Sequence, residues 1–123
     1  MTINIYKAKS IQNNKSFKND PITTEIIRNS LNSAAEQMKK SLIRSAFSPI
    51  IYEVLDFASA IYDIKYCMLA QSPSLPGFMG TLSFCVEEAV KEVGGEKNLF
   101  DGDIIIYNNP YGSGSHSQDA AIV

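Results

Sequence analysis

Asp20-Pro21-Ile22-Thr23-Thr24-Glu25-Ile26-Ile27-Arg28-Asn29 begins the segment that decides the fold. Asp20 can offer a side-chain oxygen to the first free N–H groups of a helix, and Pro21 fits the first helical position, where its missing N–H has no intrahelical partner to lose. From there Ile22, Ile26, Ile27, Leu31, Ala34, Ala35, Met38, Leu42 and Ile43 recur at three- and four-residue steps, with Glu25, Arg28, Asn32, Glu36, Lys39 and Lys40 on the other side. Ser48-Pro49 ends the run, because the residue before a proline is pushed out of the helical region. The pattern predicts a helix from Pro21 to Phe47, roughly 40 Å long at about 1.5 Å per residue. That is more than a globule of 123 residues needs, so the helix is expected to pack along something larger than this chain.

Upstream, residues 1–19 are read as an extended arm, with a short strand at Ile3 to Tyr6 before a polar stretch that has no period. Downstream, residues 57 to 71 read as a hairpin: Phe57 to Tyr62 and Cys67 to Ala70 flank Asp63-Ile64-Lys65-Tyr66, a turn without the Asn-Gly or Asp-Gly that would secure it. Ser72 to Gly77 is read as loop. A second helix is expected from about Thr81 to Val93, with Leu82, Cys85, Val86, Ala89, Val90 and Val93 as its apolar face and Gly94-Gly95 as its stop. After a loop over Glu96 to Gly102, Asp103 to Tyr107 reads as a buried strand. Helix, two strands, helix and strand in that order suit an α+β layer arrangement over residues 20–123.

With 45% hydrophobic and 20% charged residues, the composition is that of one globular unit with a modest core. Eleven Lys and Arg against thirteen Asp and Glu give a net charge of -2 with the bases scattered, which argues against nucleic-acid binding. No apolar stretch approaches the roughly 20 residues of a bilayer span, and Met1-Thr2-Ile3-Asn4-Ile5 does not begin a secretion signal, so no membrane is expected and a cytoplasmic location is. Cys67 and Cys85 lie among apolar neighbours and read as reduced, buried thiols, outside any structural zinc spacing.

Chemistry concentrates in Asn108-Asn109-Pro110-Tyr111-Gly112-Ser113-Gly114-Ser115-His116-Ser117-Gln118-Asp119, a turn expected to reverse the chain without regular hydrogen bonding and to present His116, the single histidine, three residues from Asp119. An imidazole and a carboxylate at that separation can share one ion, although the same pair also occurs among ordinary polar residues of exposed loops. Asp56, in the apolar context Val54-Leu55-Asp56-Phe57, is either a turn residue or a second carboxylate aimed inward, and Glu53 is its solvated neighbour. Serine nucleophile chemistry lacks the nucleophile-elbow spacing. A phosphate cradle at Gly112-Ser113-Gly114 lacks both a following lysine and an obvious helix start.

Asp20 to Asn29, Ala46-Phe47-Ser48-Pro49, Asp56-Phe57-Ala58-Ser59-Ala60 and Asn108-Asn109-Pro110-Tyr111 with Gly114-Ser115-His116 and Asp119 resemble the hydantoinase B family. That family includes the B-type components of ATP-dependent hydantoinases and 5-oxoprolinases and the homologous components of acetone and acetophenone carboxylases. The resemblance covers only the N-terminal portion of the family's usual polypeptide. It implies a divalent metal (zinc, manganese or iron) held by Asp56, His116 and Asp119, with His116 and Asp119 in catalysis and a later histidine supplied by another polypeptide. It also implies a hetero-oligomer with larger hydantoinase-A-like and hydantoinase-B-like subunits, the A-type one using ATP. The chain is accordingly expected to be the small subunit of an ATP-dependent ketone carboxylase of the acetophenone type, inactive alone, using bicarbonate and an aromatic or small ketone. The alternatives are a component of an ATP-dependent hydantoinase or oxoprolinase that opens cyclic amides, and a non-catalytic assembly subunit. Two departures stand out: Asn109 where the family usually has aspartate, and Gly112-Ser113-Gly114-Ser115 where a Gly-Gly-Thr step is usual.

Overall fold

The computed structural model describes residues 20–73 and 75–123. The expected arm over 1–19 and its strand at Ile3 to Tyr6 lie outside the described residues. Helix α1 spans Pro21–Ser45. The Asp20 carboxylate accepts from the N–H groups of Ile22 and Thr23, both at 3.2 Å, and from the Thr23 hydroxyl at 2.6 Å. These three donors hold the Asp20 carboxyl below its ordinary value, the Thr23 hydroxyl foremost. Ala46 then leaves the helix with extended backbone, two residues earlier than the sequence pattern predicts.

Prolines open further helices. Four of the five in the chain stand at a helix start: Pro21 in α1, Pro49 in α2 (Pro49–Tyr52), Pro76 in α3 (Pro76–Met79) and Pro110 in α5 (Pro110–Ser113). The last three are single turns that the sequence pattern does not distinguish from loop. The second long helix, α4, covers Leu82–Glu92, within the expected span, and buries Cys85, Ala89 and Val90.

The hairpin is present and shorter than expected: β1 (Ala60–Tyr62) pairs antiparallel with β2 (Met68–Gln71). Its register shifts between Ile61 and Tyr62, which leaves Leu69 as the extra residue of a bulge. Asp63 makes up for the missing glycine turn. Its Oδ1 accepts from the N–H groups of Lys65 at 2.9 Å and Cys67 at 2.8 Å, and Tyr66 takes the left-handed conformation at φ 61°.

A second ribbon pairs β3 (Ile106–Tyr107) with β4 (Ala121–Ile122), and Ile105 and Val123 extend it by exchanging two backbone hydrogen bonds at 2.7 and 2.9 Å. Here the expectation of a buried strand is corrected. Strand alternation puts Tyr107 inside, 7% exposed, while Ile104 and Ile106 on the opposite face are 72% and 74% exposed; Ile122, paired with Ile106, is 75% exposed.

The packing divides into two groups, with α1 against β1 and β2 and with α4 against α5 and β3. The architecture is α+β, as predicted. Ala35, Phe57, Ala70, Cys85, Ala89, Val90 and Tyr107 form the described apolar core. Ala35 is the buried residue of α1, whereas its first turns leave Ile22, Ile26 and Ile27 exposed. Ala35→Leu should therefore cost about 1–3 kcal/mol by overpacking, and Ile26→Ala should change stability by less than about 0.5 kcal/mol. Urea denaturation of the two variants checks both, and a comparable loss in each would disprove the uncovered status of the first turns.

Candidate functional site

The site forms where the ribbon, α3 and the segment after α2 converge. Tyr107 ends β3 and is buried, and its hydroxyl stands against the Cα of Gly112, where a Cβ would collide with it; Glu88 of α4 closes the same gap. That hydroxyl has no hydrogen-bond partner among the described residues. Burial raises its ionisation above the usual tyrosine value, and the Glu88 and Glu92 carboxylates add to the rise.

From this anchor the chain makes one helical turn. The Asn109 side chain caps α5 by accepting from the Tyr111 N–H at 3.1 Å, and Gly114 closes the turn in the left-handed conformation at φ 70°. The expectation of a reversal without regular hydrogen bonding is thereby corrected: the N–H groups of Ser113 and Gly114 donate to the carbonyls of Asn109 and Pro110 at 3.2 and 3.0 Å. Ser113 is buried, and its hydroxyl donates to the Asn109 carbonyl at 2.9 Å and lies 2.6 Å from the Ser115 hydroxyl. These bonds turn the serines inward, so Gly112-Ser113-Gly114 is no open phosphate cradle.

His116 and Asp119 emerge just past this turn. The Asp119 Oδ2 accepts from the His116 backbone N–H at 2.9 Å and lies 3.2 Å from Nδ1, while the Asp119 N–H donates to the His116 carbonyl at 3.0 Å. The contact selects the tautomer with the proton on Nδ1, which leaves Nε2 to accept or donate a proton. The imidazole is 81% exposed and the carboxylate 28%.

Asp56 reaches the same place from the other direction. Its N–H donates to the Ile50 carbonyl at 3.0 Å, and the preceding Leu55 takes a left-handed conformation at φ 59°. For a bulky residue that conformation costs of order 1–3 kcal/mol, and here it accompanies a half-buried Asp56 on the cavity wall. The cavity measures about 340 Å³ and is shared by Asp56, His116, Asp119, Thr81 and Ser115, with Leu75, Pro76, Gly77, Phe78 and Gly114 completing the lining. The structure thus brings together all three residues singled out from the sequence, across 60 positions. The apolar wall is the part that sequence reading misses, because the single turn of α3 looks like loop.

The three residues do not fit a ready metal centre. Among the described residues no three His, Cys, Asp or Glu side chains are close enough to hold an ion, and Asp119 is already engaged twice by His116. Cys67 is exposed, contrary to expectation, because it leaves the Asp63 turn on the solvent side. Cys85 is buried behind the site as expected. Burial pushes its thiol up; the Ser113 hydroxyl pulls the other way, and the Asp119 carboxylate adds to the rise.

Comparison with known proteins gives the class. Residues 20–123 match the family described as hydantoinase B/oxoprolinase, and the chain belongs to that family. Among its relatives are the 5-oxoprolinase of Dictyostelium discoideum, 32% identical over 104 residues, and 5-oxoprolinase 1 of Arabidopsis thaliana, also 32% identical over 104 residues; each match takes in 85% of this chain and 8% of the relative. A putative D-/L-hydantoinase component of the B type, from Pseudomonas sp., is 33% identical over 105 residues, taking in 83% of this chain and 18% of that one. The chain therefore spans less than a fifth of the length of these relatives. No solved structure matches it.

Asn109, one of the two departures noted in the sequence, caps α5 with its side chain and does not line the cavity. Gly112 is the tighter constraint. Gly112→Ala should destabilise by about 1–3 kcal/mol through collision with Tyr107. In a Tyr107→Phe background the cost should fall by at least about 0.5 kcal/mol, since the obstructing hydroxyl is gone. Equal costs in both backgrounds, measured by urea denaturation, would show that the hydroxyl is not the obstacle.

Proposed function

We propose that this chain is part of the B-type component of an ATP-dependent cyclic amidohydrolase of the hydantoinase and oxoprolinase kind. The observation that carries the reading is the His116–Asp119 pair at a cavity that also holds Asp56, in a chain whose relatives are named oxoprolinase and hydantoinase. With the ring carbonyl oxygen phosphorylated from ATP by the partner, a water oxygen attacks that carbon and the ring C–N bond breaks as the nitrogen gains a proton, leaving an acyl phosphate that a second water hydrolyses to carboxylate and phosphate. His116 Nε2 takes the proton from water and returns it to the leaving nitrogen, so that no proton is lost. Asp119 is a positioning residue, holding the imidazole in one tautomer through Nδ1 and fixing its backbone at the same time. ATP belongs to a larger A-type partner in this reading.

The ketone carboxylase expectation has less support, because the oxoprolinases and the hydantoinase among the relatives are amide-opening enzymes by name. The two differ in substrate demand. ATP-dependent ring opening without bicarbonate favours the amidohydrolase, and product formation that requires bicarbonate and a ketone favours the carboxylase.

The reading also includes partners. Ile22, Ile26 and Ile27 on α1, and Ile104, Ile106 and Ile122 on the ribbon, are exposed apolar surface of the kind that marks contact with other polypeptide. The ribbon adjoins the His116 turn, so polypeptide packed on it would also shield the site. A hydantoinase-B-like remainder fits the first role and the A-type component the delivery of ATP. Among the described residues no helix is long and apolar enough to cross a membrane.

In the assembled complex, His116→Ala should lower turnover about 10²- to 10⁴-fold. Asp119→Asn should lower kcat more than it changes KM while leaving assembly intact. Wild-type turnover in His116→Ala, assayed with ATP and a cyclic amide, would remove the imidazole from the mechanism.

A divalent metal stays outside the reaction steps, since the donors of this chain are not gathered around one point. The chain alone should carry far less than one equivalent of zinc, manganese or iron after gel filtration, by elemental analysis. Stoichiometric metal that disappears in His116→Ala would reverse that conclusion.

A further inference from the structure

Beneath the His116 turn two hydroxyls form a chain whose direction the structure fixes. A serine hydroxyl carries one proton to donate and accepts through its oxygen. The Asn109 carbonyl can only accept, so at 2.9 Å it takes the proton of Ser113. The Ser113 oxygen accepts the Ser115 backbone N–H at 3.3 Å, and the Ser115 hydroxyl, 2.6 Å away, is therefore the donor in the contact between the two serines. The protons thus point from Ser115 to Ser113 to the Asn109 carbonyl. Ser113 is 2% exposed, which shelters these bonds from water, and each bond in such a chain polarises the next. Ser115 stands at the other end, half-buried on the cavity wall. With its proton turned inward, its oxygen offers the cavity lone pairs only.

Resting on the amidohydrolase reading, we infer that Ser115 is a specificity-determining residue that accepts the N–H of the amide to be opened, and that Ser113 is the positioning residue that holds it to that role. Ser115 directly precedes His116 and both line the cavity. The acceptor for the N–H thereby neighbours the imidazole that supplies the leaving nitrogen with its new proton. An oxygen that can only accept also keeps the ring nitrogen in its N–H form once the carbonyl oxygen is phosphorylated. That form is cationic and draws water to its carbon more strongly than the neutral form that has lost the proton. The Asp56 carboxylate, on the wall of the same cavity, favours the positive charge. No bond changes at Ser115: the N–H stays intact while the C–N bond breaks. Thr81 supplies a control, because its hydroxyl donates to the Phe78 carbonyl at 3.1 Å and it lines the cavity from the start of α4, apart from the His116 turn.

A lactam and its isosteric lactone test the assignment, since 2-pyrrolidinone carries the N–H and γ-butyrolactone puts an oxygen lone pair in its place. Binding to the assembled complex is measured by calorimetry without ATP, and ring opening is followed separately with ATP. The lactam should bind about tenfold more tightly than the lactone, the scale of one net hydrogen bond. Ser115→Ala should bring the two within about twofold of each other, and Ser115→Thr, which keeps a hydroxyl, should retain the preference. Ser113→Ala frees the Ser115 proton to turn outward, so the lactone should bind this variant more tightly than the wild type, a gain that loosened packing does not produce. Thr81→Val should leave the preference in place. A preference unchanged in Ser115→Ala, or lactone binding no tighter in Ser113→Ala, overturns the inference; ATP-dependent opening of the lactam by the same preparation leaves the amidohydrolase reading intact. The expected binding pattern without ATP-dependent opening of any cyclic amide leaves the acceptor role of Ser115 standing and overturns the amidohydrolase reading instead.

Discussion

The burial of Tyr107 against Gly112 is the contact on which the site depends. Tyr107 is the last residue of β3, and its ring is covered where α4 and α5 meet. Because its hydroxyl occupies the space a Cβ at position 112 would need, the turn after the strand can approach α4 only through glycine. That close approach sets the direction of α5. With α5 placed, Gly114 ends it in a left-handed step and delivers His116 and Asp119 to the cavity. The hydroxyl, without a hydrogen-bond partner among the described residues, is the cost of this arrangement, since a buried donor that lacks one forfeits its hydration.

How much of this is legible in the sequence depends on whether a signal is local. Asp20-Pro21 and the three- and four-residue spacing of apolar residues are local, and α1 starts where they place it. The hairpin is legible from its two apolar runs, although its turn relies on Asp63 accepting two backbone N–H groups, a bond that follows from no dipeptide rule. The single-turn helices escape sequence reading even though Pro49, Pro76 and Pro110 stand where Pro21 does. Four residues give no periodicity to detect, so a proline that also starts a helix reads only as a stop. That Asp56 lines the same cavity as His116 and Asp119 depends on the path of the whole chain between them, which no spacing encodes.

The strand at Asp103 to Tyr107 teaches something different. A run of three isoleucines predicts burial on both faces, as for a strand inside a layered sheet. The described residues cover one face only, and the alternation leaves Ile104 and Ile106 bare together with Ile122 of the neighbouring strand. The same holds for α1, whose apolar stripe continues through first turns that the described residues leave uncovered. Both elements carry more apolar surface than these residues bury, which is why a prediction of burial rests on sound physics and still fails for this chain.

Covering that surface matters for chemistry as well as for stability. At 81% exposure the His116 imidazole sits in a high dielectric, where its contact with Asp119 is worth little as an ion pair and water competes for both nitrogens. The His116 backbone N–H donates to the same carboxylate oxygen, so two bonds rather than one hold the geometry of the pair. Polypeptide packed on the bare ribbon face would lower the local dielectric beside a pair already in position and strengthen its electrostatics without moving it. Under the proposed function, this chain would contribute preorganisation and the partner the exclusion of water. That division of roles is what the proposed function requires of a histidine this exposed.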